Sequence, residues 1–285
     1  MTHGTYRPPA GSCNAHCHVF GPFDRFPLPE DRSFTPPLAP EAALRRLDDQ
    51  LGFDRAVLVQ SQGHGYDHRA VLDALAVGGG RYRGVALIRA ETPADEIVRM
   101  DAAGFCGARF NFMPHLGYPN LDTVRSVIAR VRHFGWHVAI HVAGDGMVDL
   151  EEFIGSIDAP VVIDHMGRPD LRQGPDGPAI EALCRLLDTA RVWVKLSGAD
   201  RLTQQQAPYT AAVPIARRLA THAPERILWG TDWPHVNLDG PMTNDAALVD
   251  LIPQIAPTAA LRTRMLVDNP AAFFGFTRGT HAVRS

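Results

Sequence analysis

Short apolar runs rich in β-branched residues recur along the chain at fairly even intervals, and segments with helical periodicity lie between them. In one such segment, the i, i+3, i+4, i+7 spacing of a single helix face is occupied by Val124, Val127, Ile128 and Val131. Gly135 then ends the segment. The apolar runs have the length of buried strands and predict eight of them, over residues 14–20, 55–60, 84–88, 107–112, 137–142, 160–165, 192–198 and 226–232.

Strands that alternate with helices eight times over about 260 residues are typical of a (β/α)8 barrel of the α/β class. A doubly wound sheet usually carries a glycine-rich phosphate loop after its first strand. Neither G-x-G-x-x-G nor G-x4-G-K-[ST] occurs here, so a nucleotide cofactor is not expected. We therefore predict a single TIM barrel over residues 11–278, a disordered leader over 1–10 and a C-terminal tail over 279–285.

Composition and charge exclude two classes of partner. The chain is 45% hydrophobic and 21% charged, its formal net charge is −3, and its basic residues form no dense run. A nucleic-acid partner is not expected, because phosphate binding requires a basic face. The N-terminus has no apolar targeting segment and no long apolar run follows, so we expect a cytoplasmic protein without a membrane partner. The four cysteines include no C-x-x-C pair, so neither a zinc ribbon nor a thioredoxin-like motif is expected.

The stretch "NAHCHVFGP" places His16 and His18 at the end of the first predicted strand. Residues two apart on a strand face the same side, so both imidazoles point to the barrel axis, whereas Cys17 points away and is expected to pack. Three more polar residues end later strands, namely His141, His165 and Asp232. The carboxyl ends of barrel strands meet at one mouth, where burying five polar groups without a shared partner would be costly. We therefore predict the active site at this mouth.

Arginines also follow strands at the predicted mouth, at Arg109, Arg168 and Arg201. A guanidinium group matches the paired oxygens of a carboxylate or sulfonate, so three of them indicate a doubly charged ligand. His64, after the second strand, and Asn237, after the eighth, are further candidates for substrate contact.

The motifs "AHCHVFGP", "RFNF", "GWHVAIH", "VIDHMGRPD", "GADR" and "LWGTDWPH" resemble those of the amidohydrolase superfamily, and within it the pyrone dicarboxylate lactonase and sulfomuconolactone hydrolase group. The resemblance runs from about Gly11 to Phe276. It implies hydrolysis of a small anionic lactone from aromatic catabolism. It further implies that Asp232 is the general base, and that His16, His18 and His165 polarise the carbonyl directly or through a metal.

The resemblance also raises the question of a metal ion. The pyrone lactonases are metal-independent and carry a tyrosine at the end of the fifth strand, where this chain has His141. That difference restores the ligand set of the metal-dependent members, namely His16, His18, His141 and Asp232. We therefore predict a divalent ion, Zn2+ or Mn2+. The metal-independent alternative, in which His141 donates a hydrogen bond to the substrate, stays open.

Two departures from the resembling lactonases bear on the substrate. Met113, Pro114 and His115 stand where those enzymes have basic residues, and Phe34 stands where they use a tyrosine. These departures make a sulfomuconolactone or a related carboxylated lactone the main contender beside pyrone dicarboxylate, with His115 as a substitute contact. A sugar-acid lactone isomerase, a metal-dependent decarboxylase and a non-catalytic acid-binding barrel are the alternatives. The expected partner is the small anionic substrate, with a homo-oligomer as a further possibility.

Overall fold

The computed structural model describes residues 4–204, 206–238 and 240–276, with the exception of the His115 side chain. Eight parallel strands pair in chain order into one sheet that curls into a barrel. The strands are β1 (Cys13–Cys17), β2 (Arg55–Val59), β3 (Tyr82–Ala86), β4 (Phe105–Phe112), β5 (His137–Val142), β6 (Val161–Ile163), β7 (Val192–Lys195) and β8 (Ile227–Leu228). The predicted (β/α)8 barrel is confirmed.

Helices connect the strands and cover the outside of the barrel. They are α1 (Glu41–Leu51), α2 (Arg69–Val77), α3 (Ala94–Ala103), α4 (Leu121–Val131), α5 (Gly146–Asp149), α6 (Glu151–Gly155), α7 (Pro178–Leu187), α8 (Ala199–Leu202), α9 (Val213–His222), α10 (Asp245–Val249), α11 (Ile252–Ile255), α12 (Ala259–Thr263) and α13 (Asn269–Phe274). The periodic valines predicted to line a helix face are buried on α4.

The hydrophobic core has two layers, and β1 changes face between them. Cys13 and Ala15 belong to the cluster inside the barrel, whereas Cys17 belongs to the cluster between strands and helices. The pairing of β1 with β2 shifts register between Asn14 and Cys17, as at a β-bulge. The Cys17 thiol donates to the Val57 carbonyl at 3.3 Å on the outer side, so it packs as expected.

The barrel closes where the end of β8 meets β1. The Asp232 N–H donates to the His16 carbonyl at 2.8 Å. Gly230 makes this approach possible, because a Cβ there would lie 2.4 Å from the His16 nitrogen. The predicted first strand and strands 6 to 8 were too long: the structure ends β1 at Cys17, β6 at Ile163 and β8 at Leu228. His18, His165 and Asp232 therefore lie beyond the ends of their strands.

The residues before β1 lie against the last third of the chain. The N–H groups of Thr5 and Tyr6 both donate to the Asp250 carboxylate at 2.8 Å. The disordered leader over residues 1–10 stays a prediction; residues 1–3 and the predicted tail lie outside the described residues. Within the described ranges, none of the helices has both the length and the apolar character needed to cross a bilayer.

Candidate active site

Three imidazoles surround one oxygen of Asp232 at the carboxyl ends of the strands. Asp232 Oδ1 lies 3.3 Å from Nε2 of His18, 3.6 Å from that of His16 and 3.7 Å from that of His165. Asp232 and His165 have φ angles of 68° and 54°, a left-handed conformation that costs non-glycine residues free energy. Residues far apart in the chain thus converge on one carboxylate.

The other oxygen of Asp232 is held by Arg201, whose Nε donates to Oδ2 and whose terminal nitrogen donates to the Val236 carbonyl at 3.1 Å. Burial by itself would raise the pKa of Asp232, but Arg201, followed by His165, outweighs it and holds that pKa well below its usual range. Asp232 is therefore ionised at neutral pH.

A buried network behind the site fixes the backbone that carries Asp232. Asn14 Nδ2 donates to Asp48 Oδ1 on α1 at 3.1 Å, and Asn14 Oδ1 accepts from the Thr231 N–H at 2.9 Å. The Thr231 hydroxyl in turn accepts from the Trp233 N–H at 3.1 Å. Both neighbours of Asp232 are thus bonded, which keeps its left-handed conformation in place.

The hydrogen bond made by Nδ1 of each imidazole determines whether its Nε2 can donate or accept. His18 Nδ1 lies 2.7 Å from the Val59 carbonyl and must donate to it, because a carbonyl oxygen only accepts. His141 Nδ1 lies 3.0 Å from Asn111 Oδ1, and His165 Nδ1 lies 2.9 Å from the Ser197 hydroxyl. Burial lowers the pKa of both His141 and His165 well below the ordinary value, so both rings are neutral at pH 7.

A second carboxylate lies directly beneath the imidazoles. Asp164 is fully buried; its Oδ2 accepts from Arg109 Nε at 2.9 Å, and its Oδ1 lies 3.1 Å from Lys195 Nζ. Burial alone would raise the pKa of Asp164, but Lys195, His16 and Arg109 together hold it well below its usual range. Sequence reasoning missed both Asp164 and Lys195. A signal was present, because Lys195 is the only lysine among the 285 residues and stands in the apolar run "VWVKLSG".

The cavity over Asp232 presents cationic groups to a ligand. Its wall includes Arg109, Arg168, Arg201, Asn237 and Phe34. Within the described part of the chain, the half-buried guanidinium of Arg168 makes no hydrogen bond or ion pair, and the guanidinium of Arg109 is bonded through Nε alone. Burial, and then the nearby Arg201, lower the pKa of Arg168. A desolvated guanidinium without a counter-ion is typical of an anion site.

Two of the predicted site residues, His16 and His64, lie outside this cavity wall. His16 is fully buried behind Asp232. His64 stacks on Phe20, with ring centroids 5.7 Å apart, and its Nε2 accepts from the Gly21 N–H at 3.4 Å. It fills space beneath the loop after β1, outside the wall. The side chain of His115 lies outside the part of the chain that the structure describes.

His235, which lies beyond Asp232, is clamped between two aspartates. Its Nδ1 lies 3.0 Å from Asp200 Oδ2 on α8 and its Nε2 lies 2.9 Å from Asp245 Oδ1 on α10. Burial would lower the pKa of His235, but the two carboxylates outweigh it and raise that pKa to about 10. The imidazolium therefore ties the loop carrying Asp232 to the helix carrying Arg201.

This clamp predicts that the free energy of unfolding falls as the pH becomes alkaline. An unfolded histidine releases its proton near pH 6.5, whereas folded His235 keeps it to about pH 10. The clamp's contribution is therefore complete below pH 6.5 and is lost as the pH rises toward 10. By urea unfolding, we expect His235→Gln to cost on the order of 3 kcal/mol at pH 6 and much less at pH 10. His222→Gln, at the pair with the exposed Asp188, is the control, and a pH-independent cost for His235→Gln would contradict the clamp.

Three of the four predicted metal ligands form a compact group. One donor atom each from His16, His18 and Asp232 lies within 4.8 Å of the others, and all three residues are buried. His141 lies on the cavity wall outside that group, with its buried Nε2 unpaired among the described residues. The role of His141 as a ligand stays a prediction.

A protein-family model described as amidohydrolase matches residues 13–276, nearly the whole chain. The chain belongs to the amidohydrolase family. This amidohydrolase is 40% identical over 279 residues to a 2-pyrone-4,6-dicarboxylate hydrolase from Comamonas testosteroni, across 94% of this chain and 92% of the relative. It is 37% identical over 271 residues to a 4-sulfomuconolactone hydrolase from Hydrogenophaga intermedia, across 94% of this chain and 89% of the relative.

A solved structure extends the likeness to three dimensions. A probable 2-pyrone-4,6-dicarboxylic acid hydrolase from Acinetobacter baumannii, with citric acid bound, superposes on this amidohydrolase with a TM-score of 0.81 and 27% identity. The match covers 93% of this chain and 100% of that one. These comparisons confirm the resemblance recognised in the motifs and the predicted class of enzyme, a hydrolase acting on an ester bond.

Proposed function

We propose that this amidohydrolase hydrolyses a small lactone that carries two acidic groups, with Asp232 as the general base. The observation that carries the proposal is the charge of the site. Among the described residues that line the cavity or ion-pair directly beneath it, four cationic side chains, Arg109, Arg168, Arg201 and Lys195, face the two carboxylates of Asp164 and Asp232, which leaves a formal excess of two positive charges there. A dianion balances that excess, and Arg168 offers it an unpaired guanidinium.

The chemistry follows from the ionised base. Asp232 takes a proton from a water molecule while the water oxygen forms a bond to the lactone carbonyl carbon. The ring C–O bond then breaks, and the proton on Asp232 passes to the departing ring oxygen. The product is the open-chain hydroxy acid or its keto tautomer, with one carboxylate more than the substrate. Arg201 lowers the basicity of Asp232 in the free site, so a substrate acid group that draws Arg201 away would strengthen the base.

Hydrogen-bond donors on the cavity wall stabilise the developing negative charge on the carbonyl oxygen. His165 can present a proton on Nε2, because the Ser197 hydroxyl beside its Nδ1 can donate as well as accept. His18 and His141 line the same wall, but their Nδ1 atoms donate to the Val59 carbonyl and to Asn111 Oδ1, and a neutral imidazole bonded in this way presents an accepting Nε2. Arg109 and Arg168 hold the acid groups and so orient the ring. Asn237 and Phe34 also line the cavity.

A Zn2+ or Mn2+ ion would be held by His16, His18 and Asp232, and would lower the pKa of water and polarise the carbonyl. The chemistry of the donors suits such an ion, but the charge around them does not. Arg201 already occupies the second oxygen of Asp232, and a divalent ion would add to an existing positive excess. We therefore propose that the reaction proceeds with the chain's own residues.

The test is an assay of the purified protein on pyrone dicarboxylate and on sulfomuconolactone, before and after removal of metal ions by a chelator. We expect loss of the lactone ultraviolet absorbance together with release of one equivalent of acid. The rate should stay within about twofold after chelation, because no step needs an ion. Metal analysis of the same sample provides the control for complete removal.

Each alternative gives a different result in this assay. A new lactone without acid release would favour the isomerase, and release of CO2 would favour the decarboxylase. Stoichiometric zinc in the purified protein, with activity lost on chelation and restored by Zn2+, would reverse the proposal on the ion while leaving the lactone hydrolysis intact.

A further inference from the structure

Lys195, the only lysine of the chain, is completely buried at the end of β7. Its ammonium group has two neighbours of opposite kind: Nδ1 of His16 at 3.1 Å and Oδ1 of Asp164 at 3.1 Å. Lysine is rarely buried without paired charge, and here the Asp164 carboxylate supplies it. The buried position of this single lysine beside His16 therefore indicates a role in the site.

The contact with His16 determines where the ring carries its proton. An ammonium group only donates, so Nδ1 of His16 must accept from Lys195. A neutral imidazole with an accepting Nδ1 has its proton on Nε2. The competing arrangement is a proton on Nδ1 donated to Asp164 Oδ1, but that contact is longer, at 3.3 Å, and this oxygen has no well-oriented hydrogen-bond partner among the described residues.

The geometry points to Lys195 as a positioning residue: by donating to His16 it fixes the proton of His16 on Nε2, where the ring faces Asp232. Nε2 of His16 faces Asp232 Oδ1 at 3.6 Å, just beyond hydrogen-bond distance, and has no hydrogen-bond partner among the described residues. The ring is fully buried and outside the cavity wall, so it supports the base from behind and does not touch the substrate. This inference rests on the proposed role of Asp232.

The same proton has a second consequence, because a metal ligand must offer a lone pair. An imidazole protonated on Nε2 cannot bind an ion there without first moving that proton to Nδ1. Asp164 would accept a hydrogen bond from the proton once it is on Nδ1. Lys195 opposes the change, because its ammonium N–H would then face the N–H on Nδ1 of His16. Lys195 thereby keeps the Nε2–H of His16 directed at Asp232 and weakens the group of His16, His18 and Asp232 as an ion site.

Lys195→Met tests the inference, because methionine has a similar length and cannot donate. The direct readout is the two-bond 1H–15N correlation spectrum of 15N-histidine-labelled protein, in which protonated and unprotonated ring nitrogens are well separated. His16→Asn identifies the His16 signals. In the wild type we expect His16 to carry its proton on Nε2. In Lys195→Met we expect it on Nδ1, donated to Asp164.

Two further measurements distinguish positioning from general damage to the fold. We expect kcat of Lys195→Met to fall by about 30-fold with KM within about threefold, since the lost support concerns the base and not the anion site. Zn2+ should bind to Lys195→Met on the order of tenfold more tightly by calorimetry. Trp193→Phe, on the same strand but packed against Phe273, is the matched control and should leave the tautomer, kcat and zinc affinity unchanged.

A wild-type spectrum with the His16 proton on Nδ1 would overturn the inference, and this result does not require the variant to fold. An unchanged tautomer in Lys195→Met, or a kcat equal to that of Trp193→Phe, would overturn it as well. The spectrum needs no substrate. A protein without lactonase activity would therefore refute the proposed function while the role of Lys195 was still decided by the spectrum.

Discussion

Replacing Asp232 by asparagine is expected to lower kcat by about 1,000-fold, because an amide of the same shape cannot take a proton from water. KM should stay the same or fall, since Arg201 loses its carboxylate partner and becomes free to bind the anionic substrate. Steady-state kinetics on the lactone that the wild type hydrolyses best would measure both effects. The loss in kcat with an unimpaired KM is the signature of a group that acts on the transition state.

Asp170→Asn is the matched control for this variant. Asp170 pairs with Arg172 on the surface, so the same change of charge and shape there should leave the rate within about twofold. A circular dichroism spectrum and a melting temperature close to those of the wild type would show that Asp232→Asn folds. If the folded variant kept its rate, Asp232 would not be the base, and a binding barrel without catalysis would become the better interpretation.

Replacing Arg168 by methionine is expected to raise KM by about 10- to 100-fold with a smaller effect on kcat. A hydrogen bond to a charged group contributes about 1.5–3 kcal/mol, which corresponds to this range. Arg168 is the clearest choice among the arginines of the wall, because its guanidinium makes no hydrogen bond or ion pair with the described residues. Arg109→Met and Arg201→Met would also unpair Asp164 and Asp232, so their effects would mix binding with electrostatics.

Arg172→Met, four residues away and exposed, is the control and should leave KM unchanged. A neutral analogue of the lactone provides a second check, because its KM should not respond to Arg168→Met. If the substitution left the KM of the anionic substrate unchanged, the positive charge of the cavity would have another role and the dianion proposal would fail.

The fold could be predicted from the chain because the barrel repeats one simple pattern. Each strand is an apolar run and each helix has one apolar face, so local periodicity is enough to count them. The limits of the last strands could not be predicted in this way. "PVVIDH" and "RILWGTD" are continuous apolar runs with polar ends, but the backbone turns left-handed at His165 and Asp232, and no local pattern marks that turn.

The residues of the site were predictable to the extent that their type suggests chemistry. Histidines and an aspartate at strand ends drew attention, and the structure brings His16, His18, His165 and Asp232 together. It also separates them by role, since His16 lies behind the base and the other two imidazoles line the cavity. His64 has the same residue type and a similar position after a strand, yet it packs on Phe20.

The sequence by itself determined the barrel, the mouth at which polar residues gather and the family to which the chain belongs. Only the tertiary structure decided how charge is shared there: Arg201 on the base, Asp164 between Arg109 and Lys195, and Arg168 without a partner. The physical reason is that periodicity reports which side chains are buried, whereas pairing depends on distances of about 3 Å between residues that lie far apart in the chain.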